Sequence, residues 1–385
     1  MRINPLLHEL EVYPQEALNR KKAEVLDRGQ RLYDFGTGDP IEPTPEPVRQ
    51  AILDAVPLIS QYPRVRGSRE LRDAITGYLQ RRFGVTLTED QVIPTSGSKE
   101  AVFHLPMMVI DPSAPDRRVV FPDPGYPAYQ RGCLFAGGQP YPVKLRGDFQ
   151  QRFWELSDEV LEQTRVVWIN TPHNPSGAVL ELDALRRTWE RCREHDILLC
   201  SDECYVDVFD HEAPPSILQV ATEGVLAFHS LSKRSGMTGY RSGFVAGDSA
   251  WIKAFADFRV NPGLVPQDTV NAGASVAWAD DEHVLRRREV FGAKKELMRE
   301  FFAELGLQVV ASEATFYLWV RCPAGLSDED YALRLLDAGI VVSPGSSFGL
   351  LRAGRGYIRV AMVPPLAQCR EACEVWREVH RGLVG

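Results

Sequence analysis

The stretch VLAFHSLSKRSGMTGYRSGF, Val225 to Phe244, sets an apolar run directly against Ser230, Ser232 and Lys233, with Arg241 eight residues further on. The run VLAFH reads as a buried strand. A lysine at the carboxyl end of such a strand has two readings. It is a solvated loop residue, or its amine is held inward beside an anion bound by the serines and Arg241.

Working outward, the same texture recurs. QVIPTSGSKEAVFHLPMMVI reads as strand, turn and helix, and RRVVFPDPGYPAYQRGCLFAGG repeats the plan. RVVWINTPHNPSG is a strand entering a loop, DALRRTWERCREHD a helix, and ILLCSDECY a short strand that stops at Ser201-Asp202. GYRSGFVAGD reads as another strand. Short continuous apolar strands alternating with helices predict a mostly parallel sheet covered on both faces. Upstream, PEPVRQAILDAV and GSRELRDAITGYLQRRFG read as amphipathic helices, the second opened by Ser68 and closed by Gly84.

After Asp281 the pattern changes. A long charged helix (EHVLRRREVFGAKKELMREFFAELG) precedes the strands LQVVAS and TFYLWVRC. SDEDYALRLLDAG is a helix, IVVSPGSSFG and GYIRVAMV are strands, and the chain ends in a helix. We expect a large domain over residues 42–283 and a smaller α+β domain formed by 1–41 with 284–385.

Bulk composition narrows the function. The chain has 385 residues, 44% hydrophobic and 25% charged, which is enough apolar material for sizeable cores. The net charge of −8 argues against nucleic acid as a main partner. Neither a membrane-spanning run nor a secretory signal is read. The seven cysteines are odd in number and scattered, which suits reduced thiols in a cytoplasm. Cys200/Cys204 and Cys369/Cys373 have the spacing of half a zinc site, but packing explains them better and no metal is expected.

In a parallel sheet ligands bind beyond the carboxyl ends of the strands. The polar residues collected there are Ser96 to Lys99, Tyr126, Asn170 to Asn174, Asp202 with Tyr205, and Ser230 to Lys233. TSGSKEA puts small residues, a hydroxyl and Lys99 at a helix start, which suits a phosphate; the plain alternative is a capped helix. Asp202 is a strand-end carboxylate needing a cationic or donor partner, or else a turn residue. Arg359, in GYIRVAMV, is a surface arginine or a planar fork for a carboxylate. A lysine, an anion site, a carboxylate, a phenol and an amide at one sheet edge together suggest a Schiff base to a phosphorylated aldehyde.

The motifs YPRVRG (from Tyr62), SGSKEA, PGYPAY, NTPHNPSG, SDECY, SLSKRSGMTGYRSGF and YIRVA stand in the order in which they occur in class I/II aminotransferases. The chain resembles that pyridoxal 5'-phosphate-dependent, fold-type I family over nearly its whole length. The resemblance implies an α/β fold with a seven-stranded, mostly parallel sheet and a smaller α+β domain. It implies that Lys233 binds the cofactor and moves the substrate proton, that Asp202 pairs with the ring nitrogen, and that Tyr205 and Asn174 bond the ring's phenolic oxygen. Tyr126 would stack on the ring, while Ser98, Lys99, Ser230 and Arg241 would surround the phosphate. Tyr62 would reach the phosphate in a neighbouring subunit, making a homodimer with shared sites. Arg359 would clamp the substrate carboxylate, with the backbone near Gly38 closing over it.

Within the family, the opening segment, FGTGDPIEPTP and PGSSFG are similar to the N-succinyldiaminopimelate aminotransferases. The expected reaction is ping-pong transfer from L-glutamate, with N-succinyl-2-amino-6-oxopimelate as acceptor. Arg64, Arg66 and Arg259 are candidates for its distal group, or surface charges. The rivals are a broad aspartate/aromatic aminotransferase, a carbon–sulfur β-lyase and a cofactor-binding regulator. A further rival is a serine hydrolase using Ser347 of GSSFG with His380 and one of Glu371, Glu374 or Glu378.

Overall fold

The computed structural model describes residues 3–9 and 14–384, with the side chains of 8, 9, 14–19 and 384 excepted. Part of the opening segment used in the sequence comparison therefore lies outside the described residues.

One seven-stranded sheet organises most of the chain. Its spatial order is Val92–Thr95, Gly243–Gly247, Val225–Ser230, Leu198–Asp202, Thr164–Asn170, Arg118–Asp123 and Gln139–Lys144. All neighbours pair in parallel except Gly243–Gly247, which runs antiparallel to both of its neighbours. Strand alternation splits the apolar runs between two cores. Val167, Ile169, Leu199, Ala227 and Phe244 face one, under the helices Arg69–Phe83 and Asp268–Ala279. Val166, Trp168, Leu198, Cys200 and Phe228 face the other, under Ser98–Val109 and Pro127–Phe135. This two-sided burial is why VLAFHS has no polar alternation: every residue of it is buried.

The predicted cap on Arg69–Phe83 is present. Ser68 accepts the Leu71 N–H, and Gly84 ends the helix at φ 70°. The edge strand Gln139–Lys144 and the helices Ser249–Arg259 and Asp268–Ala279 went unread in the sequence. The first is rich in proline, and the helices have apolar residues on most faces, which blurs their period.

The later part builds a four-stranded antiparallel sheet in the order Ser343–Pro344, Tyr357–Ala361, Tyr317–Arg321 and Val309–Val310. The helices Glu282–Glu304 and Leu366–Val384 contribute Phe301, Phe302 and Trp376 to its core. IVVSPGSSFG is not one strand. Ile340–Val341 pairs in parallel with Tyr33–Asp34, and Ser343–Pro344 pairs with Arg359 and Ile358 in the other sheet. The chain serves two sheets in five residues, so neither pairing can extend. No helix among the described residues is long and apolar enough to cross a membrane.

The four-residue helix Leu231–Arg234 carries Lys233 and is too short to be stable by itself. Its anchor is Arg234. That guanidinium donates to Asp207 at 2.8 Å, Asp281 at 2.6 Å and the Ala277 carbonyl at 2.5 Å. Asp207 also accepts from Tyr78 at 2.9 Å and Arg82 at 3.0 Å. Burial pushes the Asp207 carboxyl up, but Arg234 and Arg82 outweigh it and hold the group below the usual range.

Arg234→Ala should therefore cost about 3 kcal/mol, because it strips a buried carboxylate of its main partner. Lys253→Ala, in the exposed pair with Asp257, should cost less than about 0.5 kcal/mol. Urea unfolding of the two variants against the parent checks the contrast.

Candidate active site

The strand register delivers the site. Asn170 lies opposite Asp202, and Asp202 opposite Phe228, two residues before Ser230. Their carboxyl ends open into a cleft of about 340 Å³. Gly38, Ser98, Lys99, Tyr126, Asn174 and Asp202 line it, as do Tyr205, Ser230, Lys233, Arg241 and Arg359.

Asp202 is buried. Its carboxylate accepts the Tyr129 hydroxyl at 2.8 Å and the Cys204 N–H at 3.3 Å. Burial raises its pKa, against the lowering effect of these two partners. Neutral donors alone offset only part of the cost of a buried carboxylate, so the site suits a cation.

Lys233 is the partly buried amine at the other wall, and it donates to the Gly38 carbonyl. Burial lowers its pKa to about 8; Cys204 and Asp39 pull the other way, and Arg359 and Arg241 add to the lowering. The Lys233 amine therefore gives up its proton more readily than a solvated lysine does. The structure thus places this lysine at the cleft wall and not in a solvated loop.

The anion corner lies at the start of the helix Ser98–Val109. Gly97 precedes it at φ 78°, and a Cβ there would sit 2.5 Å from Arg241 Nη2. Only glycine leaves room for the arginine to close on the helix N-terminus. Arg241 itself has φ 58° and is held by the carbonyls of Thr238 at 2.9 Å and Ser96 at 3.1 Å. It lies before its strand, which starts at Gly243 rather than at Gly239 as the sequence suggests. Ser230 closes this corner, its hydroxyl accepting the Ser232 N–H.

Arg359 is buried on Tyr357–Ala361. It donates to Asn174 Oδ1 and to the Gly36 carbonyl, each at 3.0 Å. Its Nε has no hydrogen-bond partner among the described residues. Tyr317 and Phe348 flank the guanidinium at 4.2 and 4.7 Å from their ring centroids. A desolvated fork with an orphan donor is suited to a carboxylate.

A phosphorylated pyridinium aldehyde fits these donors. Asp202 matches a protonated ring nitrogen, Lys233 an aldehyde, and the Gly97–Arg241 corner a phosphate.

Several sequence candidates do not enter this cleft. Arg259 is fully buried and tied to Glu100 at 2.9 Å and the Pro94 carbonyl at 2.6 Å, so it cannot reach a substrate. Tyr62 is 100% exposed, and neither it nor Arg64 nor Arg66 lines the cleft of its own chain. Ser347 lies in the 3-10 turn Gly345–Ser347, not on a strand-to-helix elbow. Arg31 and Arg377 take Glu371 and Glu374, each at 2.7 Å, and His380 Nδ1 has no partner among the described residues. The serine triad is not assembled. Cys200 and Cys369 pack into separate cores, and all seven cysteines are free.

Asp39, Cys204 and Thr238 of the lining escaped the sequence reading, as did two aromatic residues of the site, Tyr129 and Tyr317. Each tyrosine is an aromatic inside an apolar segment, where core packing is the default expectation. Tyr129's spacing of three from Tyr126, the residue that caps its helix, was the available signal.

The family description "Aminotransferase class I and II" matches residues 30–375. The LL-diaminopimelate aminotransferase of Aquifex aeolicus (strain VF5) is 35% identical over 93% of this chain and 94% of its own. An aminotransferase structure from Neisseria meningitidis Z2491 superposes with a TM-score of 0.91 at 31% identity, covering 98% of this chain and 100% of that one. A Thermus thermophilus structure named as a probable N-succinyldiaminopimelate aminotransferase gives 0.88 at 26% identity, covering 94% and 99%. With its fold-type I architecture and the residues gathered at its sheet edge, this chain belongs to the class I and II aminotransferases.

Proposed function

We propose that the protein is a pyridoxal phosphate-dependent aminotransferase with L-glutamate as amino donor and a diaminopimelate-type compound as the other substrate. The observation that carries this reading is the meeting of Lys233, Asp202 and the Arg359 fork in one cleft. Bound there, pyridoxal phosphate supplies an electron sink for the pair released when the substrate Cα–H bond breaks. Asp202 keeps a proton on the ring nitrogen. Lys233, once its amine is free and neutral, would take the proton from the substrate α-carbon and return it. Tyr205 and Asn174 hold the phenolic oxygen, and Tyr126 covers the ring face. Ser98, Lys99, Ser230 and Arg241 hold the phosphate. Arg359 takes the substrate α-carboxylate on Nε and one Nη, under the backbone of Gly38.

The assembly we favour is a homodimer of two-domain subunits, divided as the sequence suggests. Leu58, Ile59 and Tyr62 form an exposed apolar run suited to burial against a second copy, which would bring Tyr62 to the phosphate of the neighbouring site. The distal substrate group is the finer question. The Aquifex relative favours LL-diaminopimelate, whereas the Thermus structure favours the N-succinyl compound of the sequence reading.

The reconstituted protein should show a visible cofactor band that glutamate converts to a shorter-wavelength form, and single-turnover rates with LL-diaminopimelate should exceed those with aspartate or phenylalanine. Indifference to glutamate, with pyruvate released from a β-substituted amino acid, would favour the lyase. If only the N-succinyl substrate reacts, the second reading of the distal group replaces the first. Lys233→Ala should lower turnover by about 10²–10⁴-fold while leaving the fold intact by circular dichroism. Cofactor uptake should follow the neutral amine of Lys233. Its rate in the apoprotein should rise with pH and level off above about 8, as stopped-flow absorbance from pH 6 to 9.5 would read.

A further inference from the structure

Tyr317 is the second residue of the segment FYLWVR and belongs to none of the motifs discussed above. It is 2% exposed, yet its hydroxyl lies at the cleft wall. Three of its neighbours belong to the proposed chemistry. The hydroxyls of Tyr317 and Tyr205 are 2.9 Å apart. The Tyr317 ring lies 4.2 Å beneath the Arg359 guanidinium. A Cβ placed on Gly38 would approach the Tyr317 hydroxyl to 2.3 Å, so that phenol also sets how near the Gly38 backbone comes to the cleft.

The position follows from the sheet. Tyr317 pairs with Ala361 and Trp319 with Arg359, so Tyr317 is the diagonal neighbour of Arg359 on the same face. Its own N–H is tied to Thr315 Oγ1 at 3.0 Å, and Thr315 has φ 66°, which fixes where the strand begins. The ring is thus held from the backbone side while its hydroxyl contacts a second phenol. Two phenols in contact share one hydrogen bond, and when Tyr317 donates, the Tyr205 proton is left for another acceptor. Donation into Tyr205 also strengthens Tyr205 as a donor.

We infer that Tyr317 is a positioning residue that orients the Tyr205 hydroxyl toward the cofactor's phenolic oxygen and couples that oxygen to the carboxylate fork at Arg359. The inference rests on the cofactor reading proposed above and concerns a residue that reading does not use. Tyr205 donates to the phenolic oxygen and stabilises its ionised form. Without Tyr317 the donor is weaker and free to turn, so the bound cofactor should hold its titrating proton to higher pH.

The test is the pH titration of the visible absorbance of the reconstituted protein. Tyr317→Phe keeps the ring and its packing on Arg359 and removes only the hydroxyl. Its midpoint should move upward by about half a pH unit or more. Tyr205→Phe should move it further in the same direction. The double variant should match Tyr205→Phe alone, because Tyr317 acts through Tyr205. A Tyr317→Phe midpoint equal to that of the parent overturns the inference, as does a double variant in which the two shifts add. Loss of melting temperature without a midpoint shift marks Tyr317 as packing only and overturns it as well. A parent protein that takes up no cofactor overturns the function proposed above and this inference with it, so the two failures are distinguishable.

Discussion

The buried pair of Arg234 and Asp207 holds the turn on which Lys233 rides. Its side chains are 3% and 6% exposed, and it joins the short helix after Val225–Ser230 to the helices Arg69–Phe83 and Asp268–Ala279. Lys233 gains no comparable restraint from its own side chain, which among the described residues donates to the Gly38 carbonyl alone. Next to a lysine that would change partners under the proposed function, the chain places an arginine held by several acceptors. Arginine suits that task because its planar fork engages several acceptors at once and keeps its charge. The arrangement separates rigidity from chemistry within two consecutive residues.

The same separation explains the electrostatics of the cleft. Burial pushes Asp202 up and Lys233 down, each toward its neutral form. Two buried lysines elsewhere are fully partnered: Lys295 meets Asp210 and two carbonyls, and Lys294 meets Glu42 and two others, whereas Arg287 and Arg259 each keep an Nε within the core that is unpaired among the described residues. Asp202 has no such cation, and Arg359 Nε has no acceptor among the described residues. What sets Asp202 and Arg359 apart is that they line an open cleft, where a ligand can supply the partners that folding left out.

These differences also decide what could be read in the sequence. Continuous buried strands such as LLCSD and VLAFHS were legible because two-sided burial keeps their first residues apolar and confines polar ones to their carboxyl ends. Asp202, Ser230 and Lys233 were legible because each breaks such a run at its end. The strand pairs Tyr33–Asp34 and Ile340–Val341 were not, because two-residue pairings carry no period. Arg259 was misjudged for a related reason. It ends the helix Ser249–Arg259, where an arginine is usually solvated, and its partner Glu100 is distant in sequence. Tyr129 and Tyr317 were hidden by their own hydrophobicity, since only the hydroxyls distinguish them from core phenylalanines.

Arg359 shows why the substrate end of the cleft depends on the whole fold rather than on one motif. Its guanidinium is held by Asn174 from the loop after Thr164–Asn170 and by Gly36 from the segment that pairs with Ile340–Val341. Its flanking rings come from Tyr317 and Phe348. Parts of the chain remote in sequence therefore fix one fork, and a carboxylate bound there touches the junction of both sheets. A fork restrained on both Nη atoms offers a ligand fewer orientations than a free arginine, and fewer rotamers are lost on binding. Under the proposed function, the substrate α-carboxylate would then be recognised in nearly the same pose whatever lies beyond the α-carbon. An enzyme that must accept two different substrates in turn needs that constancy at one end of its cleft and variation at the other.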